Sequence, residues 1–458
     1  MAIPAAVDML LRKQNIEYGV VELPTSAQLR HPGGVHTTLL QCGGERLQAL
    51  YPADSLLDLN ALCRTTGQQL EAVAPGDVSK LCQKHDFQHL PALPAVLGLP
   101  TVVDRRLLDR PELALTSGND QQLLRLSAEQ FKRSLAAATI GDFSVDLATL
   151  RRGRLEQVDD TADITRAVAD FTQLRMKQRL EETLELPPLP ETAQRIIKLR
   201  VDPYADMRDL TTIVEMDPAL AAQVVSWASS PYYAAPGKIK SVHDAISRVL
   251  GFDLVLNLAL GLALGKSLGL PKDAPRGFTP YWQQAVYAAT GVEALVGCIR
   301  ADQRPTIGLA YLAGLLHNFG YLLLAEIFPP HFSSYCRYQE VNRQLDYTFI
   351  ERFLLGITRD QLAGWLMRLW SMPDEVCLGL RHQSDPDYAG PNSAYPNLLY
   401  VTSRLLATHG IGSAPPEPIP DELYERLQLD PEQATQAIHQ VVEASEAIKG
   451  IASGLAAA

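Results

Sequence analysis

The sequence lacks an excess of positive charge and has no paired cysteine motif. It contains 41 lysine and arginine residues against 52 aspartate and glutamate residues, a formal net charge of -11 over 458 residues. That sign argues against broad binding of nucleic acid or of anionic membranes. Its six cysteines are scattered, with no C-x-x-C pair. They therefore indicate buried thiols in a reducing cytosol, and not a disulfide framework or a zinc site.

The sequence also lacks an uninterrupted apolar run of the length that spans a membrane. Residues 249–265 are interrupted by Asp253, and residues 307–328 contain His317 and Asn318. Polar side chains at mid-span are costly in lipid, so buried helices of a globular core are the better interpretation. We therefore expect a cytoplasmic protein that does not bind membranes.

The first part of the chain carries alternating strand and helix signals, which predict a mixed α/β domain. Gly43-Gly44 lies between two β-like runs, as expected for the turn of a β-hairpin. The predicted elements are strands at 18–23, 35–42, 45–51 and 101–104, and a helix at 56–66 that ends at Gly67.

The rest of the chain is predicted to be helical. Residues 134–180 contain no proline and have apolar residues at spacings of three and four, which predicts a linker followed by a connecting helix. From residue 181 onward helical patterns dominate, and Asp217-Pro218 is a favourable helix start. The apolar segments 253–268, 281–300 and 307–328 are predicted to belong to this helical core.

Five short motifs in the helical part occur in one order along the chain. They are Leu186–Pro190, Glu215–Leu220, Ala245–Phe252, Gly314–Gly320 and Trp370–Pro373. Together they resemble the HDOD domain, a bacterial signalling relative of the HD phosphohydrolases, over about residues 175–385. The resemblance implies an all-α, HD-like helical bundle, which we assign to residues 181–458 with its core ending at about 385.

An HD phosphohydrolase needs histidine and aspartate together, because they hold the divalent metal that activates water. The matching positions here are His317, Asn318, Arg359, His382 and Gln383, with Gln284 where a further histidine is usual. A neutral amide is a poor metal ligand, and a cation repels metal. The resemblance therefore implies a vestigial site without metal or cofactor. In it, His317 would be a buried histidine bonded to backbone or to Asn318.

One alternative is a phosphodiesterase with an atypical metal set. Its ligands would be His317, His382, Glu351 and Asp360. The two carboxylates occupy helix-start and helix-surface positions, where such groups are usually caps or solvated charges.

The N-terminal part resembles a second family, the YbaK-type aminoacyl-tRNA deacylases of prolyl-tRNA editing, over about residues 1–133. The resemblance is carried by Ala49–Asp54, Leu57–Leu59, Leu99–Leu107, Ser117-Gly118 and Leu124–Leu126. It implies a catalytic lysine and a glycine-lined loop around the ester. Here Thr37 stands where the lysine is expected. Leu90 stands at an expected glycine and would obstruct close backbone approach, so the site around Thr37, Leu90 and Gly118 is predicted to be vestigial.

Other features of this domain argue against an editing enzyme. Residues 1–150 hold 13 basic and 16 acidic residues, hence a net charge of -3, with no basic stripe for the phosphates of tRNA. Four histidines in this region lack compact ligand spacing and are predicted to be surface residues: His31, His36, His85 and His89.

Two emptied sites in one chain favour a non-catalytic signalling or scaffolding protein that binds a protein partner. Residual deacylase activity of the first domain stays open as a further alternative. Candidate partner contacts are Tyr232-Tyr233, flanked by Pro231 and Pro236, and Trp282, because exposed aromatic residues dominate interface energies. Packing between helices is the competing interpretation for these residues.

Overall fold

The structure is a computed structural model of the full chain. It describes residues 3–22, 33–119, 121–135, 138–151, 159–176, 189–233, 237–265, 267–415 and 417–457. The chain divides into two compact units. The first comprises residues 1–156, 274–277 and 333–353, and the second comprises 157–273, 278–332 and 354–458.

The first unit is built on a mixed β-sheet. Its strands run in the order β1-β8-β7-β2-β3-β6-β9, with β5 beside β2 and a separate β10-β4 pair. The pairs β2–β7, β3–β6 and β6–β9 are parallel, and the others are antiparallel. The strands are β1 Gly19–Glu22, β2 Gly34–Cys42, β3 Glu45–Pro52, β4 Ser55–Leu57, β5 Glu71–Ala72, β6 Thr101–Asp104, β7 Glu112–Thr116, β8 Gln122–Ser127, β9 Thr139–Gly141 and β10 Ser144–Asp146.

The predicted hairpin is confirmed. Strands β2 and β3 pair from Val35–Pro52 to Cys42–Glu45 around the Gly43-Gly44 turn. Side chains of a strand alternate between faces, so Val35, Thr37 and Leu39 share one face of β2. Val35 and Leu39 belong there to a buried apolar core.

Helices cover part of this sheet, and capping residues mark where several of them begin. They are α1 Ala5–Lys13, α2 Leu59–Thr66, α3 Pro75–Lys84, α4 Ala128–Ser134 and α5 Leu147–Leu150. The helix predicted at 56–66 begins later than expected, at Leu59, because Asp58 is the N-cap and accepts from the Ala61 amide. Residues 55–57 form β4 and pair with β10 instead. Since β9 and β10 lie at 139–146, strand pairing in this unit continues past residue 133.

The first unit also includes residues 333–353, far along the sequence from its strands. Asn342 is fully buried; its Oδ1 accepts from the Leu57 amide at 2.8 Å, and its Nδ2 donates to the Leu57 carbonyl at 3.0 Å. The Tyr338 hydroxyl lies 2.6 Å from Asp58 Oδ1, and Gln344 Nε2 donates to the Tyr51 hydroxyl at 3.0 Å. A side-chain amide thus satisfies the outer edge of β4, as a neighbouring strand would.

The remaining helices lie in the second unit, except that residues 333–353, which include parts of two of these helices, belong to the first. They are α6 Asp160–Met176, α7 Glu191–Arg200, α8 Met207–Glu215, α9 Pro218–Ala228, α10 Val242–Ala245, α11 Phe252–Gly265, α12 Tyr281–Cys298, α13 Ile307–Leu316, α14 Phe319–Ile327, α15 Pro329–Val341, α16 Tyr347–Leu355, α17 Arg359–Leu369, α18 Asp374–His382, α19 Ala394–Ala407, α20 Asp421–Leu427, α21 Pro431–Glu443 and α22 Ser445–Ala457. A π-helical turn, Ile246–Leu250, follows α10.

Side-chain caps set several of these helix starts. Asp217 accepts from the amides of Ala219 and Leu220, with Pro218 at the first helical position as predicted. Asp206 forms a capping box with Asp209 at the start of α8. These contacts satisfy backbone amides that have no partner within the helix.

Long apolar helices fill the interior of the second unit. Residues 307–327 are long and apolar enough to cross a membrane by length and composition, but 89% of the most apolar stretch is buried inside the protein. Helix α11 is likewise buried along almost its whole length. Both are core helices of a globular bundle, in agreement with the all-α fold expected for this part of the chain.

Candidate functional site

The motif Gly314–Gly320 lies at a break between two buried helices. Helix α13 ends at Leu316, and α14 begins at Phe319. The apolar segment 307–328, predicted to belong to the helical core, is therefore interrupted at His317 and Asn318. A Cβ atom at Gly320 would overlap the Arg359 carbonyl, so glycine is required where α14 meets the start of α17.

His317 is half-buried, and its ring is bonded to backbone as predicted. Its Nδ1 lies 2.8 Å from the Gly314 carbonyl, and its own carbonyl accepts from Gln383 Nε2 at 2.7 Å. Burial lowers the pKa of His317 to about 4, and the charge of Arg359 acts in the same direction. The imidazole is therefore neutral at pH 7.

Asn318 and Arg359, which the sequence assigned to the vestigial metal site, are directly bonded. Arg359 Nη1 donates to Asn318 Oδ1 at 2.5 Å, and Asn318 Nδ2 donates to Gln284 Oε1 at 3.3 Å. Arg359 is only 2% exposed, and its guanidinium carbon lies 5.7 Å from the centre of the Tyr321 ring. A buried cation and neutral amides thus occupy the positions at which the sequence predicts a vestigial metal site.

Gln383 joins the same region through a buried carboxylate. Its Nε2 donates to Asp360 Oδ1 at 2.9 Å, and Asp360 is 2% exposed. The expectation that Asp360 is a cap or a solvated charge is wrong, because Thr358 caps α17. Glu351 is also fully buried and accepts from the Tyr335 hydroxyl at 2.7 Å.

His382 packs against an aromatic ring. It stacks on Tyr388 with ring centres 3.9 Å apart and planes 12° from parallel. Burial lowers its pKa to about 4, with a second contribution from the charge of Arg381. Among the residues that the structure describes, no group of three or more histidine, cysteine, aspartate or glutamate side chains is arranged to hold a metal ion.

In the first unit, Thr37 lies on the core face of β2. It is 8% exposed, and within the described part of the chain its hydroxyl has no hydrogen-bond partner. It pairs with Leu50 of β3, which belongs to the same core. The position expected to hold a lysine is thus part of an apolar layer.

The Gly118 turn is filled by an aromatic ring. Gly118 has a φ of +93°, and a Cβ atom there would lie 2.7 Å from the Phe87 ring. The amides of Gln88 and His89 donate to the Gly118 carbonyl at 2.8 and 3.3 Å. Leu90 is half-buried against the core, and its carbonyl accepts from Thr116 Oγ1 at 2.9 Å. Phe87 and Leu90 thus fill the space beside this loop.

The histidines of this unit do not all lie on its surface. His36 is half-buried with its ring edge against Tyr51, at 5.3 Å between centres, and burial lowers its pKa to about 4. His85 is also half-buried and stacks on Phe87, whereas His89 is exposed as predicted. His31 lies outside the described residues.

Comparison with known proteins identifies two domains in the chain. The HDOD domain model matches residues 186–386, and the aminoacyl-tRNA editing domain model matches residues 18–134. A crystal structure from Marinobacter aquaeolei VT8, described as a candidate signal transduction protein, is 44% identical, with a TM-score of 0.89. The match covers 99% of this chain and 100% of that one. The chain belongs to the HDOD family. It carries an aminoacyl-tRNA editing domain in front of the HDOD domain.

Other similar proteins are more distant. An HDOD domain protein of unknown function from Geobacter sulfurreducens is 19% identical, covering 64% of this chain and 99% of that one, with a TM-score of 0.49. An uncharacterized protein of Treponema pallidum (strain Nichols) is 21% identical over 262 residues, which are 57% of this chain. The chain spans about half the length of that curated relative.

The aromatic residues proposed as partner contacts of the HDOD domain are mostly packed inside it. Trp282 is 8% exposed and lies against Gly265 and Tyr281. Tyr232 and Tyr233 are half-buried, with ring centres 5.0 Å apart. The structure therefore favours the packing interpretation for Trp282, while Pro236 lies outside the described residues.

One acidic contact of this cluster was not found from the sequence. The Tyr233 hydroxyl donates to Glu293 Oε2 at 3.2 Å. Burial raises the pKa of Glu293 to about 7. Nothing in the local pattern around Glu293 indicates this, because its partner lies 60 residues away.

Proposed function

We propose that this HDOD protein is a non-catalytic signalling or scaffolding protein of the cytoplasm. In this proposal residues 1–133, together with the strands at 139–146 that pair with them, form a degenerate, deacylase-like sensor or docking module, and the rest of residues 134–180 connects it to an output module. The output module, residues 181–458, binds a protein partner. The relative from Marinobacter aquaeolei, described as a candidate signal transduction protein, supports the signalling role.

The observation that carries the proposal is the buried guanidinium of Arg359. It is bonded to Asn318, beside neutral Gln284 and neutral His317. Metal-assisted hydrolysis requires ligands that hold a divalent cation, and the bound cation then lowers the pKa of its water. A fixed positive charge in this position repels such a cation.

The first module supports the same conclusion through different chemistry. A deacylase of this family would use a lysine where Thr37 stands, but the Thr37 hydroxyl faces an apolar core. The Phe87 ring fills the space beside Gly118. With a net charge of -3 over residues 1–150, this module also lacks an electrostatic attraction for tRNA.

Metal content and hydrolysis by the full-length protein test the absence of catalysis. We expect substoichiometric divalent metal, with no phosphodiester hydrolysis above that of the His317→Ala variant. Stoichiometric metal that is lost in His317→Ala would establish the phosphodiesterase alternative instead. Deacylation of mischarged tRNA that Phe87→Ala changes while Asn60→Ala does not would establish the editing alternative.

Capture of a partner from native lysate tests the scaffold role. The full chain is the appropriate bait, because residues 333–353 pack with residues 1–156 and a fragment that begins at 175 would lose those contacts. We expect a specific protein partner to be retained by the wild type and by His317→Ala. Absence of any partner that excess untagged protein displaces from the bait would refute the scaffold role.

A further inference from the structure

The carboxylate of Asp160, at the first position of α6, is held by donors from two other helices. Arg381 Nε and Nη2, on α18, lie 2.5 and 2.8 Å from its two oxygens. Gln361 Nε2, on α17, donates to Oδ1 at 2.9 Å. The side chains of Asp160 and Arg381 are 13% and 17% exposed. Three N–H donors therefore converge on one partly buried carboxylate.

Helices α17 and α18 carry the donors, and one donor, Gln361, is also held by a contact that does not involve Asp160. Gln361 Oε1 accepts from the Thr358 amide at 3.0 Å in the capping box of α17, which turns its Nε2 toward Asp160. A Cβ atom at Gly364 would lie 2.8 Å from Arg381 Cβ, so the absence of a side chain there leaves room for Arg381. The geometry is therefore built by α17 and α18 themselves.

The donor set has the chemistry of an oxyanion receptor. A guanidinium that presents two N–H groups matches the two oxygens of a carboxylate, and such charged pairs are stronger than neutral ones. The carboxylate of Asp160 is also stabilised by its position at the start of a helix, where a negative charge is favourable. A second carboxylate, that of Asp163, also approaches this amide, with Oδ2 at 3.5 Å from Gln361 Nε2.

We propose that Arg381 and Gln361 form a carboxylate-binding site, and that Asp160 is its built-in occupant. A small external carboxylate would bind to the same donors when the Asp160 side chain is removed. This site lies beside His382 and Asp360 in sequence but uses neither of them. The proposal does not depend on the absence of catalysis, because it concerns binding of an anion and not of a metal.

Chemical rescue in the full-length protein tests the site. Asp160→Ala removes the carboxylate and leaves space for acetate. The second unit contains all four tryptophans, and Trp365 lies one helical turn from Gln361, so tryptophan fluorescence reports its thermal unfolding. In chloride we expect the melting temperature of Asp160→Ala to fall by about 3–6 °C. Acetate at equal ionic strength should restore it in a saturable manner and should leave the wild type unchanged.

Two further variants keep the test decisive. In Asp160→Ala combined with Arg381→Met, acetate should give no rescue. Asp160→Asn keeps the side-chain volume and serves if Asp160→Ala does not fold; it should melt lower than the wild type and show no acetate effect. An unchanged melting temperature in both single variants, or rescue that persists without Arg381, would overturn the proposal. Rescue by phosphate but not by acetate would also overturn it, because the site is assigned to a planar carboxylate.

Discussion

Replacement of Asn342 by alanine should destabilise the first unit more than any change of an exposed residue in it. The side chain is fully buried and makes both hydrogen bonds to the backbone of Leu57, which is itself buried. Alanine leaves the Leu57 amide and carbonyl without these partners. Each unsatisfied buried group costs about 1–3 kcal/mol, so the expected loss is about 2–6 kcal/mol.

Amide hydrogen exchange of residues 55–58 measures this loss directly. If β4 opens locally, 2 kcal/mol corresponds to about 30-fold faster exchange at Leu57. Asn60→Ala is the matched control, since the Asn60 side chain is exposed and only its backbone amide contacts the Tyr338 hydroxyl. Exchange in Asn342→Ala within twofold of the control would refute the reasoning that Asn342 replaces a strand partner.

Three further outcomes follow from the structure. Gly320→Ala should lower the free energy of unfolding of the second unit by at least about 3 kcal/mol, because the added methyl group overlaps the Arg359 carbonyl; denaturation followed by tryptophan fluorescence measures it. Phe87→Ala should cost about 3–5 kcal/mol through loss of buried area and a cavity, measured by urea unfolding followed by circular dichroism. Glu293→Gln should raise the melting temperature more at pH 8 than at pH 5. The native carboxyl keeps its proton up to about pH 7, whereas an unfolded one loses it near pH 4.5, so the wild type loses stability as pH rises through this window. Equal gains at both pH values would contradict this.

Local signals in the sequence were sufficient to predict the structure where the contacts that form it are local. The Gly43-Gly44 hairpin, the Asp217-Pro218 start and the mixed-sheet and all-α halves all depend on residues close together in the chain. The substitutions at Asn318 and Arg359 were also visible from motif positions. The sequence alone does not show that these two side chains are hydrogen-bonded to each other, because they lie 41 residues apart.

Predictions failed where tertiary burial overrides the local pattern. Asp360 and Glu351 have the spacing of a cap and of a surface carboxylate, but both are buried beside specific donors. Residues 55–57 continue a helical pattern, yet they pair with β10, and no local signal places that strand beside them. Trp282 could equally be exposed or packed by sequence alone, and only Gly265 of α11 explains its burial.

The position of residues 333–353 has a consequence for how this protein can evolve. These residues lie inside the segment that matches the HDOD domain, yet Asn342 completes a strand of the editing domain 285 positions earlier. Exchange of the whole HDOD domain by recombination would replace Asn342 while Leu57 stayed behind. The two domains are therefore expected to be inherited as a pair, with substitutions at these positions compensating one another across a large distance in the gene.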